Sequence, residues 1–274
     1  MRRCDVADDL RLYGVSVDRA TIFGEVAETY DQRRPQYPAA MFDDLVAATC
    51  LSPGSPVLEI GCGTGLATVE LVGRGLDVTA VEPDPRMLQV AQRRLAAHDV
   101  RFVEGRFEDY DGEPRSVGMV FAAGSWHWVD AELGLPLSAS LLQDGGYLAT
   151  CWNLPRPQDL PRPPGLEATY LELAPELAGM ASQVKNRTQT HRREAIATSG
   201  YFSEPKAFSY QWTKTLTTAE YCDLLSTHSD LRMLGPDRLT ELLTAVAEVV
   251  DQNGGKLQLA YETVLYLGSR KSQK

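Results

Sequence analysis

The stretch Val57-Leu58-Glu59-Ile60-Gly61-Cys62-Gly63-Thr64-Gly65-Leu66 constrains the fold of this chain more than any other. Residues 57–60 read as a short buried strand, apolar apart from Glu59. A glycine-rich turn follows, and Leu66 to Val72 resumes with helical spacing. Strand, glycine turn and helix open a nucleotide-sized site in a Rossmann-like α/β sheet. Glycine lacks a Cβ, so the chain can turn sharply and a ligand can approach the backbone. The N–H groups at the following helix start are expected to be unpaired and to point at that ligand. The dinucleotide fingerprint G-x-G-x-x-G would place its third glycine at position 66, which is Leu66. Here the third glycine is Gly65, and the acidic Glu59 stands two residues before the first.

The next elements support a nucleoside site. Asp77 to Glu82 reads as a second strand, and Glu82 lies 21 residues past Gly61. An acidic residue about 20 residues beyond the turn accepts hydrogen bonds from both ribose hydroxyls. An ionised carboxylate only accepts, so it suits a vicinal diol and rejects a 2′-phosphate. Asp84 suits the N-cap of the following helix, with Pro85 at its first position, which leaves Glu82 for the ligand. Val100–Glu104 reads as a third strand and 116–121 as a fourth, running into Ala122-Ala123-Gly124-Ser125-Trp126-His127-Trp128. Ligands of open α/β sheets sit beyond the carboxyl ends of the strands, so this last stretch is placed for a site.

The E-x-G-x-G-x-G pattern formed by Glu59, Gly61, Gly63 and Gly65 resembles motif I of the class I S-adenosylmethionine (SAM) dependent methyltransferases. Three further patterns resemble the subfamily that includes trans-aconitate methyltransferase-like proteins. They are F-x-x-x-A-x-x-Y-D-x-x-R-P-x-Y-P from Phe23 to Pro38, A-x-x-x-W-H-W from Ala122 to Trp128, and L-x-x-G-G-Y-L from Leu142 to Leu148. The resemblance covers nearly the whole chain. It implies SAM as cofactor and S-adenosylhomocysteine as product. It implies that the N-terminal segment closes over the cofactor, with Tyr30 and Arg34 reaching the methionyl carboxylate. It places Pro83 and Met87 near the adenine and ribose, and the turn Arg106-Phe107-Glu108 against the adenine. Many relatives have Asp where Arg106 stands, so the Phe107 backbone N–H and Glu108 are the expected adenine contacts. Ala123 and Ser125 are expected at the cofactor. Tyr37, Trp126, His127, Trp128 and Trp152 are expected to wall the acceptor, with His127 the candidate base because an imidazole titrates near neutrality.

Composition narrows the class. The chain has 274 residues, enough for one elaborated domain with a sizeable core. The net charge is −10 and no Lys/Arg stripe is visible, which disfavours a nucleic-acid partner. The five cysteines, Cys4, Cys50, Cys62, Cys151 and Cys222, are scattered without C-x-x-C spacing, so neither a disulfide framework nor a metal site is suggested. No apolar stretch is long enough for a membrane span and no signal h-region follows Met1, so a cytoplasmic monomer or homodimer is expected.

The remaining chain reads as follows. Residues 1–20 form an arm. Phe23, Val26, Ala27 and Tyr30 share a helix face that Pro35 and Pro38 end, making 1–38 a lid segment. Residues 38–50 and 133–142 are helical, and 147–152 is a fifth strand. The proline-rich 153–165 is a stiff loop and 166–180 a helix; 153–200 is expected to be an inserted cap within a single domain of 1–274. Residues 206–212 form strand six, 239–250 an amphipathic helix and 257–267 the antiparallel last strand. The expected architecture is thus a Rossmann-like, seven-stranded, mostly parallel sheet with helices on both faces and a helical cap.

The implied reaction is displacement on a sulfonium methyl by an oxygen, carboxylate or nitrogen nucleophile of a small molecule. A carboxylate acceptor needs no base but needs donors such as Arg156, Arg162 or Arg192. Two rivals remain: a non-catalytic SAM-binding regulator, and an NAD-linked oxidoreductase, against which Leu66 argues.

Overall fold

The computed structural model describes residues 24–178 and 193–272; the expected arm at 1–20, Phe23, Arg192 and the end of the 166–180 helix lie outside them. A seven-stranded sheet in the order β3-β2-β1-β4-β5-β7-β6 is the frame. Its strands are β1 (Pro56–Ile60), β2 (Asp77–Glu82), β3 (Val100–Glu104), β4 (Val117–Ala123), β5 (Leu142–Pro155), β6 (Lys206–Thr217) and β7 (Lys256–Ser269). Neighbours from β3 to β5 pair in parallel, and β7 runs antiparallel to both β5 and β6. The expected seven-stranded sheet with one opposed strand is the one observed.

The central strands are buried on both faces, so they are nearly continuous apolar runs whose alternate residues serve different cores. Val57, Met119, Phe121, Ala149 and Cys151 pack under α2 (Ala39–Thr49), α3 (Thr68–Val72) and α4 (Pro85–Arg94). Leu58, Ile60, Val120, Ala122, Leu148 and Trp152 face α5 (Ala131–Leu141) and α8 (193–198). Asp84 caps α4 by accepting from the Arg86 N–H at 2.9 Å, with Pro85 at the first position.

Two differences from the sequence reading have a common cause. β5 begins at Leu142 and runs on through Asn153 and Leu154 to Pro155, which the prolines had suggested was loop. The long β7 pairs with it as far as Pro155↔Tyr261, and Pro155, which lacks an N–H, comes at the end of that ladder. β6 likewise extends to Thr217, where a capping box with Glu220 starts α9 (Thr218–Ser226). The overhanging ends of β6 and β7 carry a third apolar cluster. It joins Leu166 and Ala174, around α6 (Leu166–Leu173) and α7 (Pro175–Ala178), to Tyr221 and Leu224 of α9, Leu231 of α10 (Ser229–Arg232) and Leu242, Val246 and Val250 of α11 (Pro236–Gln252). Ile196 and Phe202 pack instead on the sheet.

The N-terminal helix α1 (Ala27–Arg33) lies between the two halves. Arg94 of α4 holds Asp31 at 2.7 Å, and Arg33 reaches Asp223 at 3.0 Å and Glu220 at 3.1 Å on α9. No helix among the described residues is long and apolar enough to cross a membrane.

Candidate active site

The glycine turn follows β1 at the carboxyl edge of the sheet, and all three glycines have positive φ: Gly61 at 63°, Gly63 at 58° and Gly65 at 81°. An L residue is strained in that region, so the spacing is a backbone requirement. Space enforces it twice more. A Cβ on Gly61 would meet the Ser125 Cβ at 2.6 Å, and one on Gly65 would meet Leu95 Cδ1 at 2.9 Å. On Gly63 it would find only Met87 Cε, at 3.5 Å.

The glycine N–H groups of the turn itself are paired within the protein. Gly61 and Cys62 donate to the Val81 carbonyl at 2.8 and 3.1 Å, Gly65 to the Cys62 carbonyl at 2.9 Å, and Gly63 to Glu82 Oε2 at 2.8 Å. The helix begins only at Thr68, and the backbone N–H groups of Thr64, Leu66, Ala67 and Thr68 just before and at its start have no hydrogen-bond acceptor among the described residues.

Glu82 ends β2 and is buried. Its Oε1 also accepts from the Asp84 N–H, at 3.0 Å. A carboxylate offers about four acceptor positions, so two remain beside these bonds. Burial pushes its pKa up to about 7, against the pull of the two N–H groups. Glu59, beneath the turn, is 1% exposed, and its Oε2 is buried with no hydrogen-bond partner in the structure. Its pKa is raised to about 7, first by desolvation and further by Glu82, while the Thr68 hydroxyl opposes.

These elements border one groove of about 750 Å³, part of it open to solvent, a size suited to a nucleoside-containing ligand. Of the expected residues, Tyr30, Gly61, Gly63, Glu82, Pro83 and Met87 line it on the β1–β2 side. Arg106, Phe107, Glu108, Ala123, Ser125 and Trp128 line the β3–β4 side. The Ser125 hydroxyl donates to the Ile60 carbonyl, which ties the two strand ends together. Glu108 Oε1 accepts from the Asp130 N–H at 2.9 Å, so this acid already braces the start of α5.

Other expected residues do not form the wall. Glu59 and Gly65 lie behind it, in the floor and against α4. Arg34 stacks on Tyr30 at 4.8 Å and donates to the Thr227 carbonyl at 2.6 Å, with its Nε buried and without a partner. Tyr37 packs edge-on against Phe42 at 6.4 Å, with its hydroxyl beside Gly124. Trp126 and Trp152 were expected at the acceptor, but both are buried in the core on the α5 face. Trp126 packs on Phe107 at 6.5 Å, and Trp152 on Tyr266 at 6.2 Å. His127 is exposed and lies tilted against Trp128, with ring centroids 4.7 Å apart, rather than lining the groove, so the geometry lends no support to a base there. The short helical turn at Trp126–Trp128 explains the split, because it turns three consecutive side chains in three directions. Arg156 is committed to Glu262 at 2.7 Å and Asp159 at 3.2 Å, so it is not an open donor for an acceptor carboxylate.

Ile60, Val81, Gly105, Gly124 and Val129 also line the groove and were not anticipated. Gly105 and Gly124 carried a signal, since each follows a strand at the ligand edge and has positive φ, 151° and 67°.

The methyltransferase-domain family matches residues 57–146, from β1 to the start of β5. An uncharacterized methyltransferase of Mycobacterium tuberculosis (strain ATCC 25618 / H37Rv) is 31% identical over 254 residues, 90% of this chain and 95% of that protein. Trans-aconitate 2-methyltransferase of Enterobacter sp. (strain 638) is 30% identical over 245 residues, 85% of this chain and 92% of that protein. A solved structure from Anaeromyxobacter dehalogenans, described as a candidate type II methyltransferase, shares the fold. Its TM-score is 0.58 at 23% identity, covering 86% of this chain and 97% of that one.

Proposed function

The chain belongs to the class I SAM-dependent methyltransferases, and from that premise we propose that it methylates a small molecule held at the mouth of the groove described above. The observation that carries this reading is the continuity of the glycine turn with Glu82 in one groove wall. The residues present fit the cofactor. Glu82 keeps two acceptor positions for a ribose diol. Behind the wall, the unpartnered Glu59 oxygen favours a cation in the groove and the unpartnered Arg34 Nε favours a carboxylate, each through its charge. Met87 and Phe107 offer apolar walls to a purine, with the Phe107 backbone N–H and Arg106 beside them.

When bound, SAM supplies an electrophilic methyl on a sulfonium. The task of this chain is to orient the acceptor and exclude water, which can lower the barrier by several kcal/mol. Tyr30 on one side and Trp128 on the other frame the opening where an acceptor enters. Residues 24–38 form the lid, and the helices of the third apolar cluster form the cap, all within one domain. With His127 outside the groove, the reading favours an acceptor already nucleophilic when ionised. The relative named for trans-aconitate makes small carboxylic acids the first acceptors to assay.

Calorimetry with SAM, S-adenosylhomocysteine and NAD is the test. SAM and S-adenosylhomocysteine are expected to bind and NAD is not; tight NAD binding without SAM binding overturns the reading. A methyl-transfer assay across small carboxylic acids then separates an enzyme from a SAM-binding regulator.

A further inference from the structure

Asn153 lies where β5 overruns the parallel sheet, and all its polar atoms are engaged. Its Nδ2 donates to the Pro35 carbonyl at 3.0 Å and to the Gln36 carbonyl at 3.2 Å. Its Oδ1 accepts from the Thr263 hydroxyl at 2.5 Å, and that hydroxyl accepts from Trp212 Nε1 at 2.9 Å. Both ends of this chain dictate its direction. Carbonyls only accept and an indole N–H only donates, so the amide nitrogen must face residues 35 and 36. Thr263 is fully buried, and Trp212 is stacked on Tyr261 with centroids 4.7 Å apart. The relay therefore rests on a rigid part of three strands, β5, β6 and β7.

Its far end is a segment that cannot hold itself. Pro35 and Pro38 bring no N–H, and α1 has ended at Arg33, so no helix or ladder takes up the carbonyls of 35 and 36. Yet this segment sets Arg34 against Tyr30 and the Tyr37 hydroxyl against Gly124, which lines the groove. We propose that Asn153, braced by Thr263 and Trp212, is a positioning residue that holds the 34–37 segment against the groove and so sets cofactor affinity without touching the cofactor. This rests on the reading of the groove as the SAM site.

The test compares wild type with Asn153→Ala, Asn153→Asp, Thr263→Val and Thr263→Ser. It reads SAM affinity by calorimetry, amide exchange of 27–38, and the KM-against-kcat split once an acceptor is in hand. Losing two hydrogen bonds should raise the SAM Kd about tenfold in Asn153→Ala and raise KM more than it lowers kcat. Asn153→Asp keeps the shape but aims a carboxylate at two carbonyls, so it should bind more weakly still. Thr263→Val removes the hydroxyl at similar volume and should weaken binding, while Thr263→Ser should restore it. Within 34–37 it is the Arg34 amide, bonded to the Tyr30 carbonyl at 2.9 Å, whose exchange should quicken in every weakened variant, with the central strands unchanged. Wild-type affinity in Asn153→Asp, or weakened binding with no change in exchange at Arg34, overturns the proposal. If Asp at 153 prevents folding, Asn153→Ala and Thr263→Val carry the same two outcomes. Failure of wild type to bind SAM would instead overturn the function reading, and the exchange data would still decide whether the relay holds the segment.

Discussion

At Glu59 a carboxyl group is buried with one oxygen unpartnered, so its ionised form is costly unless a cation is bound nearby. Its pKa in the folded chain is about 7, as is that of Glu82, against an ordinary value of 4.5. Between those values the folded state holds more protons than the unfolded state, so ligand-free stability falls as pH rises through the window and levels off above it. A bound cation reverses the preference, so SAM affinity should climb as pH rises toward and past 7, with proton release. Glu59→Gln removes one of the two titrations. It should stabilise the ligand-free protein at pH 8, flatten the stability slope below pH 7, and weaken SAM binding. Urea unfolding at several pH values checks the first two, and calorimetry in buffers of different ionisation enthalpy checks the third. Parallel stability profiles for wild type and Glu59→Gln would remove the electrostatic account.

At the scale of elements, the turn after β1 separates two kinds of glycine. Gly65 combines positive φ with a contact to α4, so Gly65→Ala adds crowding against Leu95 to a left-handed strain of about 1–2 kcal/mol. Gly63→Ala meets only the strain, but its methyl enters the groove beside Met87. Gly65→Ala should therefore lose more stability in thermal melts, and Gly63→Ala more SAM affinity for the stability it loses; the reverse order would contradict these packing roles. This turn, the Glu82 strand end and the Asp84 cap were legible in sequence because each is decided within a few residues. The length of β5 was not, since β7 supplies its partner from a hundred residues away. Nor were the inward turns of Trp126 and Trp152, because strand-end aromatics fit a pocket wall and a core equally well by pattern. Asn153 carried no signal at all: its partners come from two distant parts of the chain, residues 35–36 and Thr263.

Across the whole molecule, α1 is a clamp between parts with separate apolar cores. A helix of seven residues is too short to be stable alone, so its place depends on what flanks it. On one side Asp31 meets Arg94 of α4, and Glu28 meets Arg93. On the other, Arg33 meets Glu220 and Asp223 of α9, and Arg232 meets Glu25 at 2.5 Å. These pairs are partly exposed, so each contributes well under about 1 kcal/mol at most and salt weakens it. Together they act on one short element whose release need not disturb either core. Raising ionic strength from about 0.05 to 0.5 M, where screening shortens to a few Å, should accelerate amide exchange in 27–33 several-fold and leave β1, β4 and the α9–α11 cluster unchanged. The double variant Arg33→Gln/Arg94→Gln should show fast exchange in 27–33 already at low salt, with little further response. If salt instead accelerates exchange equally in α1 and the central sheet, the pairs stabilise the fold as a whole and α1 is not an independently released clamp.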